Sequence, residues 1–120
     1  MIKGVKFASI PVTDQDRAVA FYTEKLGFRI ATDQPFDDRQ RWIELKIDGA
    51  ETEIVLFRYD GGPEPGTRMN VTFWTENVEE TAKHLKARGV EFVMEPTTAP
   101  WGTAAAFKDP DGNVFIMSSR

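Results

Sequence analysis

The sequence has no cysteine and one histidine, His84. The first absence rules out disulfides and thiolate metal centres. The second leaves any Ser-His-Asp relay dependent on His84, and nothing around that residue supports one. No stretch approaches the ~20 apolar residues that a membrane-spanning helix needs. The first residues, MIKGVKFASIPV, show neither the apolar core nor the cleavage site of a secretory leader. Positive charge is short as well: 15 Lys and Arg face 19 Asp and Glu, for a net charge of −4. Without a basic stripe to displace phosphate counterions, nucleic acid is not an expected partner. There is no G-x-G-x-x-G and no phosphate-loop lysine motif, and Gly61-Gly62 reads as a turn. These absences lead us to expect a cytoplasmic protein that engages neither membrane nor nucleic acid.

What is present is ordinary globular material. At 41% hydrophobic and 28% charged residues, the chain is not disordered by composition. Its 120 residues fit one domain. A chain of this size removes roughly two thirds of its unfolded surface from water.

The chain reads as one pattern written twice. Residues 5–12 form a β-prone run ending at Thr13-Asp14. Residues 14–26 then read as a helix, because Ala18, Phe21, Tyr22 and Leu26 recur at i, i+3, i+4 and i+8. Thr13 or Asp14 can cap its start, and Gly27 supplies the left-handed residue that ends it. Strands are expected at 28–31, 41–47 and 53–59. In the second of these, Ile43, Leu45 and Ile47 alternate with Trp42, Glu44 and Lys46. The run Asp60-Gly61-Gly62-Pro63-Glu64-Pro65-Gly66 is punctuation between two units. The same order then restarts. A strand is expected at 69–74. A helix follows, capped by Asn77 with Glu80 three residues on, striped by Val78, Ala82 and Leu85, and ended by Gly89. Strands are expected at 90–94, 103–107 and 114–118. Asp109-Pro110-Asp111-Gly112-Asn113 makes the tight turn between the last two. A duplicated β-α-β-β-β unit implies an α+β fold with one helix and one curved sheet per module, the first over residues 1–60 and the second over 67–120.

Several runs resemble a known family. Phe21-Tyr22 followed by Leu26-Gly27-Phe28 resembles the "FY…LGF" signature of the vicinal oxygen chelate superfamily, which includes glyoxalase I, the bleomycin resistance proteins and the extradiol dioxygenases. Ile10-Pro11-Val12-Thr13-Asp14 resembles that family's first strand and helix entry. Phe107-Lys108-Asp109-Pro110-Asp111-Gly112-Asn113 resembles its C-terminal turn. The likeness runs from about residue 5 to residue 118. It implies two curved mixed sheets around a cleft with the helices outside, and a homodimer. In the family's enzymes it implies a divalent metal held by His or Glu side chains.

This chain departs from that ligand set. The implied metal positions fall on Phe7, on Val55 (or Glu53 with a shifted register), on Asn70 and on Ile116. Phe7, Val55 and Ile116 have no lone pair to give. At most two oxygen ligands remain, where first-row and Mg²⁺ sites usually take about three protein groups. We therefore expect no metal and no cofactor. His84, at the flank of the second helix's apolar stripe, reads as a surface or half-buried residue rather than a catalytic one.

Strand alternation selects what faces the implied cleft. The candidate ligand-binding residues are Phe7, Ser9, Trp42, Phe57, Asn70, Thr72, Trp74 and Ile116, with Trp101 in the loop 97–102 over the mouth. All three tryptophans are among them. Such walls hold flat or apolar ligands, or simply pack against one another. Glu44 and Glu53 are the candidates for a general base. The first expectation is a metal-independent binder of an aromatic or cationic small molecule, similar in kind to the bleomycin resistance proteins. The alternatives are a metal-dependent lyase, isomerase or dioxygenase using Glu53, Asn70 and Glu44, and a non-catalytic interaction or regulatory subunit.

Overall fold

In the computed structural model, which describes residues 1–120, the chain divides into two compact units, Met1–Pro65 and Gly66–Arg120. The first holds β1 (Phe7–Ile10), α1 (Gln15–Ala20) with a π-helical turn (Phe21–Lys25), β2 (Arg29–Pro35), β3 (Arg41–Lys46) and β4 (Glu53–Leu56). The second holds β5 (Arg68–Trp74), α2 (Val78–Ala87), β6 (Phe92–Ala99), β7 (Gly102–Lys108) and β8 (Val114–Ser118). Each unit carries one four-stranded mixed sheet, in the orders β1-β4-β3-β2 and β5-β8-β7-β6. In both, the first and last strands pair in parallel and the other pairs are antiparallel. No helix is long and apolar enough to cross a membrane.

The single helix expected over 14–26 is instead two geometries in series. Asp14 caps it as anticipated, its Oδ1 accepting from the Arg17 N–H at 3.1 Å. The α-helical bonding ends at Ala20 and widens into the π turn, where the Leu26 N–H reaches the Phe21 carbonyl at 3.3 Å. Thr23 supplies a local reason. Its hydroxyl donates to the Val19 carbonyl at 2.7 Å, competing with the backbone for that acceptor. The wider turn sends two adjacent rings, Phe21 and Tyr22, into the core together in an edge-on pair at 5.1 Å. Tyr22 also stacks on Phe28 at 5.9 Å. Gly27 then takes φ 81°, and Gly89 takes φ 88° at the end of α2. These are the left-handed positions that let each helix turn back towards its sheet.

The core of the first unit is Ile10, Tyr22, Ile43, Leu45 and Leu56, all fully buried. In the second, Val78, Ala82 and Leu85 bury the stripe of α2, and Phe107 and Phe115 lie 5.7 Å apart beneath Phe73. Each fully buried aliphatic or aromatic side chain contributes about 1.5–3 kcal/mol. Asp109 and Asn113, at the two ends of their turn, are buried and bonded to it. Asp109 Oδ1 accepts from the backbone N–H groups of Asp111 and Asn113, and its Oδ2 accepts from the Asn113 amide, all at 2.9 Å. Asn113 Oδ1 accepts from the Gly66 N–H at 2.8 Å.

Several strand limits differ from the sequence expectation. β2 runs to Pro35 rather than to 31, and β4 stops at Leu56 rather than at 59. β6 runs from Phe92 to Ala99, so only Pro100 and Trp101 remain of the loop expected at 97–102. Both long strands lie at sheet edges, where irregular register is tolerated.

Candidate functional site

One face of the first unit's sheet gathers most of the residues singled out from the sequence. Parallel pairing sets Phe7 opposite Glu53 and Ser9 opposite Val55. Antiparallel pairing sets Glu44 opposite Val55, Thr32 opposite Glu44 and Gln34 opposite Trp42. Side chains alternate across a strand, so Phe7, Ser9, Trp42, Glu44, Glu53, Val55 and Phe57 share one face.

On that face the rings form a continuous wall. Phe7 meets Trp42 edge-on at 5.5 Å, and Trp42 meets Phe57 at 5.0 Å. Two further aromatics close it. Phe36 lies 4.9 Å from Phe57 and 6.2 Å from Trp42, and Tyr59 lies 5.0 Å from Phe57. Phe36 and Tyr59 were not among the sequence candidates. Phe36 sits in the β2–β3 turn, where no alternation applies; Tyr59 continues the alternation of Glu53, Val55 and Phe57 in the strand expected over 53–59, a signal that was passed over, although β4 itself ends at Leu56. The only signal for Phe36 was an aromatic ring in an otherwise polar turn. Phe57 and Val55 are buried beneath this layer, so they floor the wall rather than offer contact surface. Phe36 keeps 59% of its surface exposed.

The polar groups around the wall are specific. The Trp42 indole N–H donates to Glu44 Oε2 at 2.7 Å. Glu53 stands on the same face as Glu44, two residues before its register partner Val55. The indole bond, and then Glu53, hold the Glu44 carboxyl below the ordinary glutamate range. Glu44 pushes Glu53 above it, and the positive charges of Lys46 and Lys6 oppose that rise. Ser9 Oγ donates to the Tyr59 hydroxyl at 3.3 Å. The arrangement offers flat apolar surface with a carboxyl pair at one end and two hydroxyls at the other.

The remaining candidates lie in the second unit. Thr72 pairs with Ile116, and Trp74 with Ser118. Asn70, Thr72 and Trp74 are exposed and Ile116 is half-buried. The Arg120 guanidinium stands 4.9 Å over the Trp74 ring. Trp101, 68% exposed, occupies the β6–β7 turn. His84 is exposed on α2, 3.6 Å from Glu80.

The positions that the family resemblance assigns to a metal do not fit one. Phe7 packs edge-on against Trp42, Val55 is fully buried, and Ile116 offers only hydrocarbon. Glu53 is the register partner of Phe7, but its carboxyl engages Glu44. No three His, Asp or Glu side chains converge as a cation site.

A hollow of the first unit, about 770 Å³, lies elsewhere and is polar, lined by Asp14, Asp16, Arg41, Arg58 and Glu64 among others. Its two inward arginines are paired. Arg41 bridges Asp16 and Asp33 at 2.8 and 2.9 Å, and Arg58 pairs with Glu64 at 2.8 Å. It touches the aromatic wall only through Tyr59, and its chemistry is that of a solvated ion-pair surface.

The family model described as Glyoxalase/Bleomycin resistance protein/Dioxygenase superfamily matches residues 4–117. YetH of Bacillus subtilis (strain 168) is 39% identical over 120 residues, covering 98% of each chain. A member of the same superfamily from Sphaerobacter thermophilus DSM 20745 superposes with a TM-score of 0.90 at 35% identity, over 99% of this chain and 98% of that one. TnmS3, an antibiotic binding protein from Streptomyces sp. CB03234, does so at 0.87 and 36% identity, over 98% and 96%.

Proposed function

Because the chain belongs to the glyoxalase/bleomycin resistance protein/dioxygenase superfamily, we propose that it is a small-molecule-binding protein that works without a metal and holds a flat, aromatic ligand. The observation that carries this reading is the wall of Phe7, Phe36, Trp42, Phe57 and Tyr59 on one face of the first unit's sheet, with ring separations of 4.9 to 6.2 Å. Offset and edge-on rings at these distances leave ring faces and edges free for a planar guest, at about 0.5–1.5 kcal/mol per good aromatic pair beyond area burial. Few polar groups and much aromatic surface is the usual make-up of small-molecule sites.

Two further features support it. The side chains at the family's metal positions are mostly hydrocarbon, which suits stacking and not coordination. Among similar structures, TnmS3 is an antibiotic binding protein. On this reading Asn70, Thr72, Trp74, Trp101 and Ile116 of the second unit are ligand contacts as well, and the working form is a homodimer. The exposed rings of Trp74 and Trp101 are the support for both statements.

The test is titration of tryptophan fluorescence with a panel of planar aromatic compounds, with and without added Ni²⁺, Zn²⁺, Mn²⁺ or Fe²⁺. Saturable quenching by some panel members, unchanged by metal, is the expected result. Silence across the panel, or quenching that appears only with metal and a metal-dependent rise in melting temperature, overturns it.

A further inference from the structure

We propose that the Tyr59 hydroxyl is the donor that selects the guest of the aromatic wall, so that the preferred ligand is a flat aromatic compound carrying a hydrogen-bond acceptor oxygen on one edge. The inference rests on reading the wall as the binding surface. It adds the class of compound and the direction in which that compound lies.

Tyr59 is placed by the backbone on both sides. The Phe57 N–H donates to the Ile10 carbonyl at 3.2 Å, so the chain runs on beside β1 past the end of β4. Alternation then brings Tyr59 to the face that carries Val55 and Phe57. The Gly62 N–H donates to the Tyr59 carbonyl at 3.1 Å and turns the chain directly afterwards. The phenol ring meets Phe57 edge-on at 5.0 Å and keeps the residue 42% exposed. A guest seated on the rings therefore has the hydroxyl at its edge.

The hydrogen bonds of the face assign the role. A phenol has one hydrogen to donate and lone pairs to accept. Ser9 Oγ donates to the Tyr59 oxygen at 3.3 Å. That bond fills an acceptor position and directs the phenolic hydrogen elsewhere. A hydroxyl polarised by an incoming bond is also a stronger donor. The indole N–H of Trp42 is committed, since it goes to Glu44 Oε2 at 2.7 Å, and an indole has no second donor. The wall is thus directional. Around Glu44 it presents carboxyl oxygens, which repel an acceptor, and at Tyr59 it presents a hydrogen. Tyr59 also lines the polar hollow. The acceptor-bearing edge of the guest lies on that side, and its hydrocarbon body covers Trp42 and Phe36. Thr32 and Gln34 on β2, opposite Glu44 and Trp42, and Lys46 on β3 are the competing donors of this face.

Equilibrium dialysis against fluorene and fluorenone tests the assignment. Both probes are planar and nearly equal in size, and fluorenone adds a carbonyl oxygen. The readout is the Kd for fluorene divided by the Kd for fluorenone, compared between variants so that the probes' different affinities for water cancel. Tyr59→Phe should lower this ratio roughly three- to tenfold, as the loss of one neutral hydrogen bond does, by weakening fluorenone and leaving fluorene as it was. Adding Ser9→Ala should change the ratio no further, and Thr32→Val, Gln34→Ala and Lys46→Ala should keep the wild-type ratio. The carbonyl stretch of bound fluorenone in infrared difference spectra should lie at lower frequency in the wild type than in Tyr59→Phe. A ratio and a carbonyl frequency that Tyr59→Phe does not move, or a ratio that falls only with one of the other substitutions, overturns the inference, and fluorene binding then still supports the wall. If neither probe binds, the reading of the wall fails and the inference fails with it.

Discussion

The side chain of Gln15 pairs with the backbone of Arg41 as if it were a strand. Its Nε2 donates to the Arg41 carbonyl at 2.7 Å, and its Oε1 accepts from the Arg41 N–H at 2.8 Å. The same Nε2 also donates to the Leu56 carbonyl at 2.8 Å. One amide thus ties the first turn of α1 to the start of β3 and the end of β4. Gln40 repeats the device on Arg58, with Oε1 accepting from its N–H at 3.1 Å and Nε2 donating to its carbonyl at 2.9 Å. These pairings hold the end of the sheet from which Trp42 and Phe57 project. Gln15→Ala removes three part-buried hydrogen bonds to the backbone, which predicts a loss of about 2–4 kcal/mol in urea unfolding. Gln15→Glu should be no better, because a carboxylate cannot donate to the two carbonyls. Stability within 0.5 kcal/mol of wild type, on the order of an ordinary surface change, would count against this role.

Much of the architecture was legible in the sequence because it depends on local signals. Gly27 and Gly89 ended the two helices where left-handed backbone was needed, and Asp14 and Asn77 capped them through the side-chain bonds expected of such residues. The alternation of Trp42 and Glu44 with Ile43 and Leu45 set the two faces of β3 correctly. What was missed depends on contacts that local patterns do not encode. The π turn arises from Thr23 bonding Val19 and from two adjacent rings both finding core space. β6 continues through Pro96 because it is an edge strand, where a missing N–H costs no ladder bond. Phe36 joins the wall from a turn, and Phe57 sinks beneath it, because tertiary packing rather than period decides which rings remain exposed.

Gly102 gives a backbone prediction in the second unit. It adopts φ 141°, and a Cβ there would clash with Ser119 Oγ. That hydroxyl accepts from the Thr103 N–H at 3.1 Å, so it cannot swing aside without leaving a donor unpaired. Gly102→Ala should therefore destabilise by about 1–3 kcal/mol through backbone strain, plus the cost of the contact. Removing the hydroxyl in Gly102→Ala/Ser119→Ala should relieve the contact and not the strain. The double variant should fall by less than the sum of the singles in a thermal double-mutant cycle. Strict additivity would show that the close approach carries no cost.

Two carboxyls of the first unit tie stability to pH with opposite signs. Asp37 Oδ1 accepts from the N–H groups of Arg39 and Gln40, and these bonds hold it below the ordinary aspartate range. A lowered folded value contributes stability above the unfolded pKa, lost as pH falls through the folded one. Glu53 is raised by Glu44. Its contribution is complete below the unfolded value and is lost as pH rises through the folded one. Asp37→Asn should therefore reduce the loss of stability on going from pH 5 into the acid range. Glu53→Gln should remove the part of the profile that falls with rising pH above the usual glutamate range. Denaturant midpoints measured from pH 3 to pH 8 check both, and parallel profiles for the two variants would contradict the opposite signs.

The wall itself makes the sharpest claim about binding. Trp42 contacts three of the other rings, and Phe57 is buried beneath them, so the two should fail differently. Trp42→Ala removes the central plate and the partner of Glu44. Affinity for a planar aromatic probe should drop by roughly tenfold or more, the equivalent of about 1.4 kcal/mol, while the melting temperature falls little because Trp42 is only half-buried. Phe57→Ala removes a floor residue and should cost about 3–5 kcal/mol of stability, with affinity lost chiefly through unfolding. Phe36→Ala, at the exposed edge, should leave stability unchanged and weaken binding less than Trp42→Ala does. Calorimetric titration beside thermal melts separates the three. If Trp42→Ala binds the probe as wild type does, the ligand does not lie on this face.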